Sequence, residues 1–125
     1  MEENQNKISY EHFISVCSNI LNCKTLNQIR INIGKIINIK HPACQYKIGR
    51  TDNPSERLST YPNDIIIMYP IVFCNDINII KNIEETFIRY YKKEHPHRCK
   101  NEQDGGGPYS DSPHQFVYIV IFQRH

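Results

Sequence analysis

Arg57 and Tyr61 stand four residues apart, just behind Asn53-Pro54. An Asn followed by Pro reads as a helix start, because the Asn side chain accepts from orphan amides and Pro is already bent to the first helical position. Before it, residues 45 to 51 read as a short strand that turns at Gly49. The helix that follows is predicted to project Arg57 and Tyr61 on one side. A guanidinium matches phosphate geometry, so the pair can hold a phosphate beside a phenol. A phenol is a poor base at neutral pH, and Lys47, Arg50 or Arg57 nearby would lower its pKa. In a plainer reading, an Arg and a Tyr at this spacing are an ordinary solvated face.

Two further groups of residues carry chemistry. Between residues 81 and 100 stand Lys81, Arg89, Lys92, Lys93, Arg98 and Lys100 against Glu84, Glu85 and Glu94, with Phe87, Tyr90 and Tyr91 interleaved. A basic helix with aromatics can track a phosphate backbone and stack bases; the same pattern fits an amphipathic helix with a charged outer face. His41-Pro42-Ala43-Cys44 and His95-Pro96-His97-Arg98-Cys99 together offer two Cys and three His, the ligand types of a structural zinc site. Their spacing is not that of a standard finger, which speaks against zinc.

The stretch from Tyr46 to Tyr61 resembles the second signature of the GIY-YIG nuclease superfamily, in the branch that carries Lys-Ile-Gly. Lys47-Ile48-Gly49, Thr51, Arg57-Leu58 and Tyr61 match that pattern at its spacing. Gly34-Lys35-Ile36 lies thirteen residues before Lys47, the separation the family keeps between its two signatures. Both signature tyrosines differ: Ile36 or Ile37 stands at the first and Lys47 at the second, with Tyr46 one position away. Ile83-Glu84-Glu85-Thr86-Phe87 resembles the later helix whose Glu binds the metal, and Asn101 is the nearest candidate for the Asn that follows it.

The resemblance implies an endonuclease that hydrolyses phosphodiester bonds of nucleic acid, DNA rather than RNA, with one Mg²⁺ or Mn²⁺. It implies catalytic roles for Arg57 (transition-state charge), Tyr61 (the attacking water), Glu84 (the metal) and Tyr46, with Lys47, Arg50, Thr51 and Asn101 at the substrate. Glu84→Ala and Arg57→Ala are each expected to abolish cleavage with the fold intact. Loss of both signature tyrosines leaves a second reading open, a nucleic-acid-binding or viral interaction module without catalysis.

The elements that must position these residues follow from periodicity. Phe13, Val16, Cys17, Ile20 and Leu21 predict a helix over 9–22, and Thr25-Leu26-Asn27-Gln28 reads as a capping box opening a second helix with Leu26, Ile29 and Ile33 on its apolar face. If Gly34 ends that helix, 36–40 is a strand that returns as a hairpin through 45–51, which the X-Pro turn at His41-Pro42 favours. If the helix runs on through Ile37, the missing strand is 116–122, and Tyr118 restores the lost tyrosine in a circularly permuted arrangement. Residues 64–73 predict a buried strand with Pro70 at a bulge or sheet edge. Asp76 caps a helix over 77–94 that His95-Pro96 ends. Asp104 to Pro113 reads as a loop, and 116–122 as the last strand.

The fold class is therefore α/β of the α+β kind: a small, mostly antiparallel sheet flanked by helices, GIY-YIG-like, with two extra N-terminal helices. A chain of 125 residues is one domain, divided into an N-terminal helical extension (1–33), the family-like core (34–101), and a loop with a C-terminal strand (102–125). A net charge of +2 is too small to announce a nucleic-acid partner by itself. Five cysteines at irregular spacing, without a signal peptide, point to a reducing intracellular setting. No apolar run reaches transmembrane length, so no membrane partner is expected. Heavy use of Ile, Asn and Lys fits an AT-rich coding genome such as a virus's, and with it the cytoplasm or nucleus of a host cell.

Overall fold

The computed structural model describes residues 7–16, 22–61, 64–102, 112 and 114–123. Four strands form one sheet in the order β1-β3-β4-β2, with β1 Ile14–Val16, β2 Tyr46–Thr51, β3 Ile65–Cys74 and β4 Gln115–Phe122. β1 runs parallel to β3, while β3–β4 and β4–β2 are antiparallel. Helices α1 (Cys23–Gly34) and α3 (Ile77–Glu94) supply the main core over one face of the sheet, and the short α2 (Pro54–Leu58) contributes Leu58 to a second cluster on the other. The α+β class holds. Among the described residues no helix is long and apolar enough to cross a membrane.

The N-terminal reading is corrected. Residues 9–16 are not helical: the Phe13 amide bonds the Tyr10 carbonyl in a turn at 3.1 Å, and Ile14–Val16 then pair with Val72–Cys74. The partly buried Ile14 and the buried Val16 pack there on the main core, so strand pairing overrides a spacing that also suited a helix. Residues 17–21 lie outside the described residues. The second helix starts earlier than its capping box, because the Asn22 side chain accepts from the Thr25 amide at 2.9 Å.

Gly34 does not end that helix. It keeps right-handed helical angles, φ −58° and ψ −39°, and the chain continues as a π-helix over Lys35–Lys40. The expected strand over 36–40, and its hairpin, are thus overturned. The cause is packing: Ile29, Ile33, Ile36 and Ile37 are all fully buried on one helical stripe. Arg98 then serves the carbonyls at the helix end, donating to those of Ile37 and His41.

β4 takes the place that the hairpin left empty. It lies in the interior of the sheet, so the C-terminal segment is part of the core rather than an appendage to 34–101, and β1 brings residues before 34 into the same sheet. β3 carries two register shifts, one between Pro70 and Val72. Pro70 therefore marks a bulge in an interior strand, one of the few places where a sheet tolerates proline. α3 begins at Asp76, whose carboxylate accepts from the amides of Asn78 and Ile79. Its buried Ile80, Ile83, Glu84, Phe87, Ile88 and Tyr91 recur at helical spacing. The loop expected over 104–113 falls almost wholly outside the described residues.

Candidate functional site

The site begins with a glycine. β2 and β4 pair so that Gly49 stands opposite Tyr118. Gly49 lies in the middle of a strand, not in the turn its sequence suggested, and its role is steric: a Cβ there would stand 2.5 Å from the Tyr118 hydroxyl and 2.6 Å from the carbon bearing it. Only glycine lets the phenol lie over the strand backbone. The Tyr118 hydroxyl then meets that of Tyr61 at 2.5 Å, with the rings edge to face at 6.2 Å. Lys47, on the same face of β2 as Gly49 by strand alternation, brings its ammonium within 5.9 Å of the Tyr61 ring centre. That is within the reach of a cation–π contact.

Tyr61 reaches this position from outside α2. Asn53 caps the helix and Pro54 starts it, as the sequence predicts, but the helix ends at Leu58. The Ser59 and Thr60 hydroxyls bond the carbonyls of Glu56 and Arg57, which competes with further helical bonding. Two tighter turn bonds, Thr60 amide to Arg57 carbonyl and Tyr61 amide to Leu58 carbonyl, then deliver the ring to Tyr118. Arg57, half-buried on α2, acts on the Tyr61 phenol through its charge.

Burial sets the protonation of Tyr61. It pushes the phenol up, against the downward pull of the Tyr118 hydrogen bond and the Arg57 cation, while the Glu84 carboxylate adds to the rise. The expected lowering of its pKa is therefore reversed. Tyr61 is a neutral phenol at neutral pH, not a base.

Glu84 approaches from the opposite face of the sheet. It is only 1% exposed, and its Oε1 lies 3.3 Å from Nε of Arg50, itself 4% exposed. Arg50 donates from Nη1 to Gln115 Oε1 at 2.8 Å, and Gln115 Nε2 donates to the Ser112 carbonyl. Arg50, expected at the substrate, is thus turned into the protein. The strand period explains it: residues 46, 48 and 50 share the face that α3 covers. The expected convergence on one face is not what the structure brings together: Glu84 pairs with Arg50 under α3, whereas Tyr61 meets Tyr118 on the other face of the sheet.

The remaining candidates serve the scaffold. Tyr46 is fully buried on the α3 face, with its hydroxyl 2.8 Å from Nδ1 of His95 and the Arg98 guanidinium 5.5 Å from its ring centre. Burial drives its phenol far above the ordinary tyrosine value, and Tyr46 is not beside the Tyr61–Tyr118 pair. Thr51 closes the turn into α2 by donating to the Asn53 carbonyl and accepting from the Asn53 amide. Asn101 accepts from the Ile48 amide at 2.9 Å and donates to the Ile48 carbonyl at 2.7 Å, so its side-chain amide acts as one more strand residue along the outer edge of β2.

The two His/Cys loops do meet, but a guanidinium joins them: Arg98 donates to the carbonyls of His41 and Cys44, both at 2.9 Å. His41 Nε2 lies 2.9 Å from the Tyr69 hydroxyl, and His95 faces Tyr46. Among the described residues no three His, Cys, Asp or Glu side chains are grouped to hold a metal ion.

Two contributors were weakly signalled in sequence. Tyr118 enters only if β4 neighbours β2, and Gln115 is a lone amide at the start of an apolar run. No family model matches the chain, and no curated protein or solved structure is similar to it.

Proposed function

We propose that this protein is a GIY-YIG-like endonuclease that hydrolyses phosphodiester bonds of DNA. The observation that carries the reading is the Tyr61–Tyr118 pair at 2.5 Å over Gly49. It supports a permuted form of the family arrangement, in which β4 stands beside the Lys-Ile-Gly strand and Tyr118 supplies the tyrosine missing from the first signature. Four free cysteines among the described residues, Cys23, Cys44, Cys74 and Cys99, suit a reducing intracellular setting.

In this reading water attacks phosphorus, one P–O bond forms and the bond to the leaving oxygen breaks, giving a phosphomonoester and an alcohol. Arg57 neutralises charge that develops on the phosphoryl oxygens. The neutral Tyr61 phenol, held by Tyr118, orients the attacking water by hydrogen bonding rather than by taking its proton. A Mg²⁺ or Mn²⁺ ion needs oxygen ligands and keeps most of its waters, and Glu84 is a carboxylate of the right donor chemistry, although it already shares its charge with Arg50. When bound, such an ion polarises the phosphate and offsets charge in the transition state. The burial of Glu84 favours one alternative, a module on the same framework that binds nucleic acid without cutting it.

Incubation of duplex, single-stranded and branched DNA with Mg²⁺, Mn²⁺ or chelator separates the two. Cleavage by wild type that needs metal and falls about a hundredfold or more in Arg57→Ala supports the enzyme. If wild type and Glu84→Gln bind DNA equally and neither cleaves any substrate, the enzyme reading fails.

A further inference from the structure

On the helical side of the sheet, α1 and α3 leave an open groove of about 290 Å³. Leu26 and Phe87 give it an apolar lining, Tyr90 stands at its margin with 43% of its surface exposed, and Cys23 lines it with an exposed thiol. The volume lies just below the roughly 300–1,000 Å³ typical of small-molecule sites, the scale of one flat ring system. Tyr61 and Tyr118 belong to a cluster on the other face of the sheet.

Charge identifies the occupant. The exposed positions of α1 and α3 carry five cations, Lys24, Arg30, Lys81, Arg89 and Lys93, against Glu85 and Glu94. The excess of three exceeds the +2 of the whole chain, so this side is more basic than the remainder. A second copy docking face to face would bring these like charges together. A polyanion that also carries flat apolar groups satisfies the cations and the groove at once.

We propose that the α1–α3 groove takes an unpaired base of a single DNA strand, stacked on Tyr90, with Arg30 at the adjoining phosphate. Stacking on an aromatic ring accepts any base, and cations beside it follow the backbone. DNA is the strand named because it is the substrate of the activity proposed above, on which this choice rests. Arg30, which donates to Asn27 at 2.8 Å, lines the groove beside Tyr90. The groove does not depend on cleavage.

The test uses the full chain in chelator, with fluorescein-labelled oligothymidylate, its duplex with oligodeoxyadenylate, and oligouridylate. Wild type should bind the single DNA strand most tightly, with affinity falling as salt rises. Tyr90→Ala should weaken that binding about fivefold or more while Tyr90→Phe restores it. Arg30→Ala should reduce both affinity and salt slope, and Tyr10→Ala, an exposed aromatic elsewhere, should change nothing. Saturating oligothymidylate should slow alkylation of Cys23, followed by mass spectrometry of its peptide. The proposal is overturned if Tyr90→Ala binds as wild type does and Cys23 alkylates at an unchanged rate. It is equally overturned if duplex or RNA binds as well as the single DNA strand, or if Tyr90→Ala abolishes a dimer without affecting DNA binding. Cleavage enters none of these readouts, so failure of the nuclease reading remains distinguishable.

Discussion

The two faces of the sheet handle polar groups differently. Under α1 and α3, twenty buried apolar side chains among the described residues form the main core, and the Arg50–Glu84 ion pair on that face is nearly closed to water. On the other face the buried cluster among the described residues is five side chains, Leu58, Ile65, Met68, Tyr118 and Val120, and the half-buried Tyr61 packs against it. A charge sealed under a thick core is held by its partner, and removing that partner leaves a desolvation cost that nothing offsets. A phenol at the margin of a thin core can meet solvent and substrate, and losing its hydroxyl costs little stability. The same kind of substitution should therefore cost much stability on the helical face and little on the other.

The largest effect is expected from Glu84→Ala. It removes the carboxylate from the buried Arg50 cation, which keeps its bond to Gln115, so urea unfolding should show a loss of about 3–5 kcal/mol. The sequence alone led to the expectation of an intact fold; the burial of Glu84 makes Glu84→Gln the cleaner test of activity. A Glu84→Ala protein as stable as wild type would break the contrast between the faces. Next comes Gly49→Ala, whose Cβ collides with Tyr118 and should cost about 1–3 kcal/mol. Combining it with Tyr118→Ala should recover part of that loss, and simple additivity of the two substitutions would show that they do not share the space.

Alkaline pH addresses both faces. Burial pushes the Tyr91 phenol from 10.0 up to about 12, with smaller contributions from neighbouring charged groups, so the fold favours its neutral form. That stability is complete below pH 10.0 and declines as pH rises from there to about 12, at no more than about 1.4 kcal/mol per pH unit. Thermal melts across this range should show the decline, and Tyr91→Phe should flatten part of it. The smallest effect is that of Tyr118→Phe, about 1 kcal/mol for one hydrogen bond. Ultraviolet titration sharpens it: without the Tyr118 hydroxyl, the Tyr61 phenol should ionise at a still higher pH.

Local rules were readable along the chain. Asp76 and Asn53 start helices because a short acceptor side chain reaches amides two or three residues on, wherever the helix later packs. Ile65–Cys74 and Gln115–Phe122 are strands because β-branched and aromatic runs suit the pleat. The Lys-Ile-Gly segment, Arg57 and Tyr61 likewise stood out by residue type and spacing. Pairing was not readable, because it joins residues far apart in sequence. Gly34 fits a helix end as well as a helix interior, and only burial of Ile36 and Ile37 under the sheet decided between them. Whether Arg50 faces solvent or Glu84 depends on which side of β2 receives α3, and one residue of register exchanges the two sides. Tyr118 lies 57 residues from Tyr61; their meeting over Gly49 was decided by β4 lying against β2, which tertiary structure alone supplies.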